Sequence, residues 1–587
     1  MKNEKVSPVF QSPEELSILR HSASHVLAKA LLEIDPNVKF AIGPSIENGF
    51  YYDIQSDKAF STEDLPLIEE KMKEVIKQNL PFEKSEMSKE KAVEYFKSKN
   101  QKYKVELIEA LNAESVGIYT LGNFVDLCKG PHIPSSGCIP LNAFKLTAVA
   151  GAYWRGDSKN DRLQRIYGVA FQTKEEMDAY FAALEKAKAS DHRKLGTELE
   201  IFHIDDSAPG SVFWLKNGCI LFNLIKDYIT KIIKRHGYYL VQTPQLMNQS
   251  LWETSGHWEK FKENMFVVED EGTLTAIKPM NCPGHIICYN TGAVKSYRDL
   301  PIRIAEFGLC HRNESSGSMH GLMRLRAFTQ DDGHIFCSPE QIISETIDVC
   351  SMIKEVYATF GFNDIMVKFS DRPEKRIGSD EIWDTAEKSL KEAADAAGLS
   401  YAANKGEGAF YGPKLEFVLK DCLGRDWQCG TLQVDFNLPE RFGITYTDND
   451  GHKKTPVMLH RALVGSLERF IGILIENYSG KFPFWLSPVQ VAVASITDEA
   501  SPYAKEIVNV LEKVGVRTIL DTENEKITYK IRKYSTQKIP AIIILGKKEQ
   551  ENGTASVRRL GSDKTEIVSF DKLTEYFSSE KNPLKQL

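Results

Sequence analysis

The hydrophobic pattern changes character along this chain, and no single sheet or helical bundle satisfies all of it. From Val489 the text alternates strictly: VQVAVASI, YAKEIVNVLEKVG, RTILD, EKITYKIRKYSTQ, AIIIL. Strand and helix in turn require crossover connections, so the last stretch, 488–587, is expected to be a small parallel-sheet domain. The middle reads otherwise. Strands are expected at YYLVQT (238–243), PIRIAEFGLCHR (301–312), LMRLRAFTQDDGHIFC (322–337), LEFVLK (415–420) and WQCGTLQVDF (427–436). Mostly hairpin-linked, they predict an antiparallel α+β sheet. A helix over 219–236 is stopped by Gly237, and another over 459–478 is entered through Gly465.

At the other end, residues 1–11 read as an irregular lead-in. Ser12-Pro13-Glu14-Glu15 then starts a helix, with Ser12 as N-cap, Pro13 in the first turn and Glu15 closing a capping box. Thr173 to Glu200 is rich in Ala, Lys and Glu, the signature of a long solvated connector helix. FPFWLSP at 482–488 punctuates a second boundary. The expected domains are 1–172 (mixed α+β), 173–200 (linker helix), 201–487 (the antiparallel sheet) and 488–587, in keeping with 587 residues at ~150 per domain.

Ten cysteines without a CxxC pair exclude a disulfide-stapled secreted scaffold and fit a reducing compartment. The opening residues hold no apolar signal-peptide core, and no apolar run approaches the ~18 residues of a membrane span. A cytoplasmic protein is expected. The net charge of −7 gives no whole-chain nucleic-acid footprint but leaves room for a local basic face.

Four constellations could carry chemistry. His21 and His25 share one helix face, and Asp126-Leu-Cys128-Lys-Gly-Pro-His132 follows in the same candidate domain. Together they have the donor types of a zinc site, against the alternative of unrelated pairs. Arg312-Asn313-Glu314 ends one expected strand and Arg324-Leu-Arg326 begins the next. Arginine there offers a planar fork to phosphate or carboxylate, unless the face is merely solvated. Arg469 sits among apolar neighbours and either snorkels or faces a cleft. Cys282, His334 and His460 are scattered; counting does not make them a zinc motif, and each alone reads as a buried core residue. Asp331-Asp332 could orient His334.

These residues carry a resemblance. The middle third resembles a class II aminoacyl-tRNA synthetase, and the chain from about residue 15 onward resembles the threonyl-tRNA synthetases. The helix and strand of 219–244, CHRNE with GLMRLRAFTQDD (310–332), and GSLERF (465–470) look like the three class signatures. NCPGH, YGPK, WQCGTLQ and LHRA are close to the threonyl family in particular. HSASH, DLCKGPH and YWRGDSKN are similar to its editing domain. The last hundred residues are similar to an anticodon-binding domain shared with prolyl, histidyl and glycyl enzymes. A form without the ubiquitin-like domain that many bacterial members carry ahead of the editing domain is expected. Gly333 stands where the family often has Ala.

The resemblance implies an α+β multidomain fold: an α+β editing domain, a class II antiparallel-sheet catalytic core with flanking helices, and a C-terminal α/β anticodon-binding domain. It implies ATP-dependent activation of L-threonine, transfer to tRNA(Thr), and hydrolysis of mischarged seryl-tRNA(Thr). Arg312 would clamp the α-phosphate and the attacking carboxylate, and Glu314 would meet the adenine amino group. Arg469 would hold the γ-phosphate and Arg324 would reach the phosphates, with Lys414, Gln428 and Thr431 lining the site. Mg²⁺ would bridge the phosphates. Cys282, His334 and His460 would hold one Zn²⁺ per chain, with Gln330, Asp332, Tyr411 and Gln433 around the threonine. His21, His25, Asp126, Cys128 and His132 would form the editing site, holding a metal or positioning water. Asn524, Glu549 and Arg558 would contact the anticodon beside a basic face from EKITYKIRKYSTQK, Lys547, Lys548, Arg558 and Arg559. A homodimer through the 219–244 region is implied. A prolyl enzyme, a free-standing deacylase and a non-enzymatic RNA binder are the competing readings.

Overall fold

A computed structural model describes residues 12–587 apart from 158 and 581; the expected lead-in, 1–11, and Ser158 of YWRGDSKN lie outside the described residues. The chain divides into two compact units, Met1–Glu185 and Lys186–Leu587.

The first unit is built on the helix Pro13–Ile34. Ser12 and Glu15 form the expected capping box, and the helix then buries Leu19, Ala23, Val26, Leu27, Ala30 and Leu31. It packs with Leu65–Gln78 against a five-stranded sheet formed by Lys39–Phe40, Ser45–Ile46, Gly49–Gln55, Phe144–Tyr153 and Arg162–Ala170. A three-stranded sheet, Phe82–Ser88, Ser115–Leu121 and Phe124–Leu127, completes the unit with two short helices.

The expected single connector helix is broken. Lys174–Ser190 ends at Asp191, whose carboxylate accepts the Arg193 amide and caps a second helix, His192–Glu198. Nor is that second helix solvated, because His192 and Leu195 are buried.

The second unit carries an eight-stranded, mostly antiparallel sheet. Its strands run in the order Tyr239–Leu240, Ile302–His311, Ala327–Cys337, Val457–Ser466, Asp426–Asp435, Lys414–Lys420, Met366–Ser370 and Ala402–Asn404. Only the two edge pairs are parallel. YYLVQT keeps just two residues of ladder. Residues 322–326 are not strand, because the chain turns there and the Arg326 amide bonds to the Gly210 carbonyl. Arg324 and Arg326 therefore precede the strand rather than ride on it.

The expected helix over 459–478 is half strand. Val457–Ser466 is buried on both faces, so its apolar run shows no alternation and reads like a buried helix. The helix proper is Leu467–Asn477, capped by Ser466. Between them the ladder is irregular: Asp332 pairs with Ala462 and Gln330 with Ser466, leaving Leu463, Val464 and Gly465 opposite Asp331. The Asp331 carboxylate accepts all three bulged amides at 2.7–3.1 Å, and Gly465 supplies the positive φ of 74°. Asp331 thus faces away from His334. Arg461 is buried beside it and donates to the Asp331 carbonyl at 2.8 Å. A Cβ on Gly333 would lie 2.4 Å from Arg461 Nε.

The C-terminal sheet has the order Thr518–Asp521, Val491–Ser495, Ala541–Leu545, Thr554–Arg559, Thr565–Ser569. The first three strands are parallel, as their βαβαβ pattern requires, and the last two are antiparallel additions that the pattern did not reveal.

Asp331→Ala leaves three bulge amides without an acceptor and Arg461 without its nearest carboxylate. A loss of about 3–5 kcal/mol in the stability of the second unit is expected in chemical denaturation.

Candidate active site

The antiparallel register sets one rung of four functional residues across the sheet. Lys414 pairs with Gln433, Gln433 with His460, and His460 with His334. The neighbouring rung brings Thr431, Ala462 and Asp332 together. Side chains at alternate positions share a face, so Gln330, Asp332 and His334 line up on one strand. The face floors a cavity of about 280 Å³ whose walls include Arg312, Glu314, Arg324, Gln428, Tyr411 and Arg469.

The guanidinium groups are held from behind. Arg469 donates to the carbonyls of Met323 (2.8 Å) and Gln428 (2.7 Å) and lies over Trp427. Burial lowers its pKa. Arg312 lies over Phe328 and donates to the Pro279 carbonyl at 3.3 Å. Arg324 is half-exposed, 3.8 Å from Glu314. Lys414 pairs with Glu416, and the Tyr411 hydroxyl donates to Gln433 Oε1 at 2.6 Å. Arg312, Arg324 and Arg469, with Lys414, outnumber the acidic Glu314 and Asp332 in the cavity and make a receptor for polyanions.

Cys282, at the start of the helix Cys282–Asn290, meets His334 and His460 with all three donor atoms within 4.8 Å. Each imidazole is braced on its far side. His460 Nε2 donates to Asp435 at 2.9 Å, which leaves Nδ1 as a lone pair. His334 Nδ1 meets His285 Nδ1 at 2.7 Å, and His285 Nε2 meets Glu306 at 3.1 Å. Glu306 also accepts from Lys278 at 2.8 Å. The carboxylate fixes the proton on His285 Nε2, so His334 carries its own on Nδ1 and turns a bare Nε2 toward His460 Nδ1, 3.0 Å away. Two facing lone pairs beside a buried thiol repel unless a cation lies among them, so this donor set fits a metal ion. His285, rather than Asp331, orients His334. The sequence offered no local signal for Asp435, Glu306 or Lys278; only register and packing bring them here. Asn281, which donates to Asp332 at 3.0 Å, and His285 both lie in NCPGH, of which the sequence reading singled out only Cys282.

In the first unit, His21, His25, Cys128 and His132 converge with all four donor atoms within 4.8 Å. Cys128 Sγ lies 3.1 Å from His21 Nε2 and 3.3 Å from His132 Nε2. The opposite nitrogens are taken by the Gly43 carbonyl and Ser22 Oγ. Burial raises the Cys128 thiol to about 11, while burial and the neighbouring imidazoles lower His132 to about 2. Both are neutral near pH 7: the imidazole is free to take a cation or a water, and the thiol is not poised for thiolate attack. Asp126 stands 3.7 Å from His25 and is itself gripped by Lys104 and the Tyr52 hydroxyl, each at 2.5 Å. Lys104 and Tyr52 escaped the sequence reading.

In the C-terminal domain Asn524 is exposed in the loop before Ile527–Thr536. Glu549 accepts from Ser556 Oγ, and Arg558 lies two residues further along that strand, paired with Asp563. The expected basic face is smaller than the residue count. Lys530 is buried against Asp521, and Arg559 packs on Tyr576 and Phe577 and pairs with Glu580. Lys526, Arg532, Lys547 and Lys548 remain exposed.

The antiparallel sheet flooring an arginine-lined cavity and the small α/β domain after it are those of a class II aminoacyl-tRNA synthetase. Residues 266–478 match the class II core domain of the G, H, P, S and T synthetases, and 490–580 match the anticodon binding domain. Residues 116–167 match the second additional domain of threonyl and alanyl tRNA synthetases. The chain is 55% identical to the threonine–tRNA ligase of Wolbachia pipientis (strain wPip) over 97% of this chain and 90% of that one. It is likewise 55% identical to that of Rickettsia conorii, over 97% and 89%. A crystal structure titled as the RNA binding domain of threonyl-tRNA synthetase from Cryptosporidium parvum superposes with a TM-score of 0.64 at 40% identity, covering 66% of this chain and 98% of that one. The chain belongs to the threonine–tRNA ligase family.

Burial opposes ionisation of Glu306, but the hydrogen bonds from His285, Lys278 and the Thr243 amide outweigh it and hold the carboxyl at about 2. A lowered carboxyl stabilises the fold above its ordinary value of 4.5, and the contribution is lost as pH falls toward 2. Glu306→Gln should therefore cost about 3 kcal/mol at pH 7, and progressively less below pH ~4.5, in denaturation of both proteins across that range.

Proposed function

We propose that this chain activates L-threonine with ATP, transfers it to tRNA(Thr), and hydrolyses seryl-tRNA(Thr) at a second site. The facing lone pairs of His334 and His460 beside Cys282, on the floor of an arginine-lined cavity, carry the reading. Adenylation is an in-line attack of a carboxylate on the α-phosphate, so the protein's work is positioning and charge neutralisation. In this reading Arg312 clamps the α-phosphate and the attacking carboxylate. Arg324 and Arg469 hold the outer phosphates, accompanied by Mg²⁺. Glu314 meets the adenine amino group, and Gln428, Thr431 and Lys414 complete the nucleotide site. Gln330, Asp332, Tyr411 and Gln433 surround the amino acid. Cys282, His334 and His460 would hold one Zn²⁺, which when bound would supply a Lewis acid beside the threonine.

Discrimination explains the second site. A pocket that engages the hydroxyl rejects valine by ~10⁴–10⁵, but serine lacks only a methyl, worth roughly 10–200-fold. His21, His25, Asp126, Cys128 and His132 are assigned to hydrolysing the serine error. The reading divides the chain into an editing domain (1–172), a linker (173–200), a catalytic domain (201–487) and an anticodon-binding domain (488–587). Asn524, Glu549 and Arg558 contact the anticodon. The exposed edge strand Tyr239–Leu240, with both side chains at least 40% accessible, favours pairing of two copies. Among the described residues no helix is long and apolar enough to cross a membrane, and we assign the protein to the cytoplasm.

ATP–pyrophosphate exchange with threonine, serine, valine and proline, with zinc assayed on the same sample, tests the first reaction. Exchange with threonine, less with serine, none with valine, and about one zinc per chain are expected. Cys282→Ala should lose both zinc and exchange; normal exchange in that variant refutes the metal assignment. His21→Ala should charge threonine at near the parent rate while seryl-tRNA accumulates, and unchanged seryl-tRNA hydrolysis would remove His21 from the editing site.

A further inference from the structure

Asp191, His192 and Glu476 form a third cluster with donor atoms within 4.8 Å of one another. By residue type it reads as a metal site; its hydrogen bonds say otherwise. His192 is fully buried. Its Nδ1 lies 2.6 Å from Glu476 Oε1, and its Nε2 accepts the Leu322 amide at 3.0 Å. Asp191 is turned to Arg193, and the second Glu476 oxygen accepts the Cys422 amide at 2.8 Å. Both imidazole nitrogens are committed, and one tautomer satisfies them: a proton on Nδ1 given to Glu476 and a lone pair on Nε2 given to Leu322.

We infer that His192 is a positioning residue that pins the turn over 320–326, which carries Arg324, to the helix carrying Arg469. Glu476 and Arg469 ride the same helix, Leu467–Asn477. Leu322, on the other side of the imidazole, precedes Met323, whose carbonyl holds Arg469 Nε at 2.8 Å. Arg324 is the next residue. One buried ring thus fixes the spacing between two guanidinium groups that grip a single polyphosphate. The ring itself comes from the helix His192–Glu198, the last part of the linker. The inference rests on the reading of Arg324 and Arg469 as phosphate ligands.

Two variants separate the two bonds. In His192→Asn the side-chain amide reaches the position of Nδ1 and keeps Glu476, but leaves the Leu322 amide without an acceptor. In His192→Gln the amide reaches the position of Nε2 and keeps Leu322. Hydrogen–deuterium exchange over 320–326, KM for ATP and for threonine in pyrophosphate exchange, and the melting temperature are measured on the full chain. His192→Asn should exchange faster over 320–326 and raise KM for ATP roughly three- to tenfold, the worth of one net hydrogen bond, with KM for threonine unmoved. His192→Gln should keep the parent KM for ATP even if it melts lower. Unchanged exchange over 320–326 in His192→Asn overturns the tether. Faster exchange with an unmoved KM for ATP, or an equal rise in both KM values, overturns its link to phosphate binding. Arg469→Ala with an unmoved KM for ATP would instead sink the phosphate reading and leave the tether standing.

Discussion

The register of four antiparallel strands is the constraint on which the site depends. Lys414, Gln433, His460 and His334 come from segments far apart in sequence and become neighbours only because their strands pair with no slip at this rung. Strand side chains alternate faces, so a shift of one residue in any strand would move its functional group to the helix-covered side. Two bulges depart from the regular ladder, one opposite Phe417 and Val418 and a larger one opposite Asp331. The larger absorbs three residues over one, ends the strand and starts the helix that delivers Arg469.

Polar groups of the site divide into two sets. Those toward the cavity keep open valences: bare imidazole nitrogens, a thiol, and guanidinium groups anchored from behind through backbone carbonyls. Behind them, buried charges close their valences against the protein. Glu306 is ringed by Lys278, His285 and Thr243, and Glu476 by His192 and Cys422. Such networks are costly when half satisfied and rigid when complete. A related arrangement recurs in the first unit, where Lys104 and Tyr52 engage Asp126 behind the histidines.

The sequence revealed local features and hid those made by packing. The capping box of Pro13–Ile34 and the strand–helix alternation after Val489 were legible because neighbours along the chain make them. The strand Val457–Ser466 was not, because burial on both faces erases the period of two. The break at Asp191 was hidden by a composition that favours helix throughout. Cys282, His334 and His460 were visible as candidates, yet only the family resemblance joined them, since strand pairing leaves no spacing rule. His285 lay in view within NCPGH without its role being legible, and Asp435 and Glu306 carried no signal at all: a buried carboxylate looks the same in text whether it braces a ligand or salts a surface.

The guanidinium of Arg461 occupies the space where a side chain at position 333 would begin. Alanine at that position therefore requires the far end of the Arg461 side chain to shift. Positions 333 and 461 are paired directly across the strands, so what a side chain at one can do depends on the residue at the other.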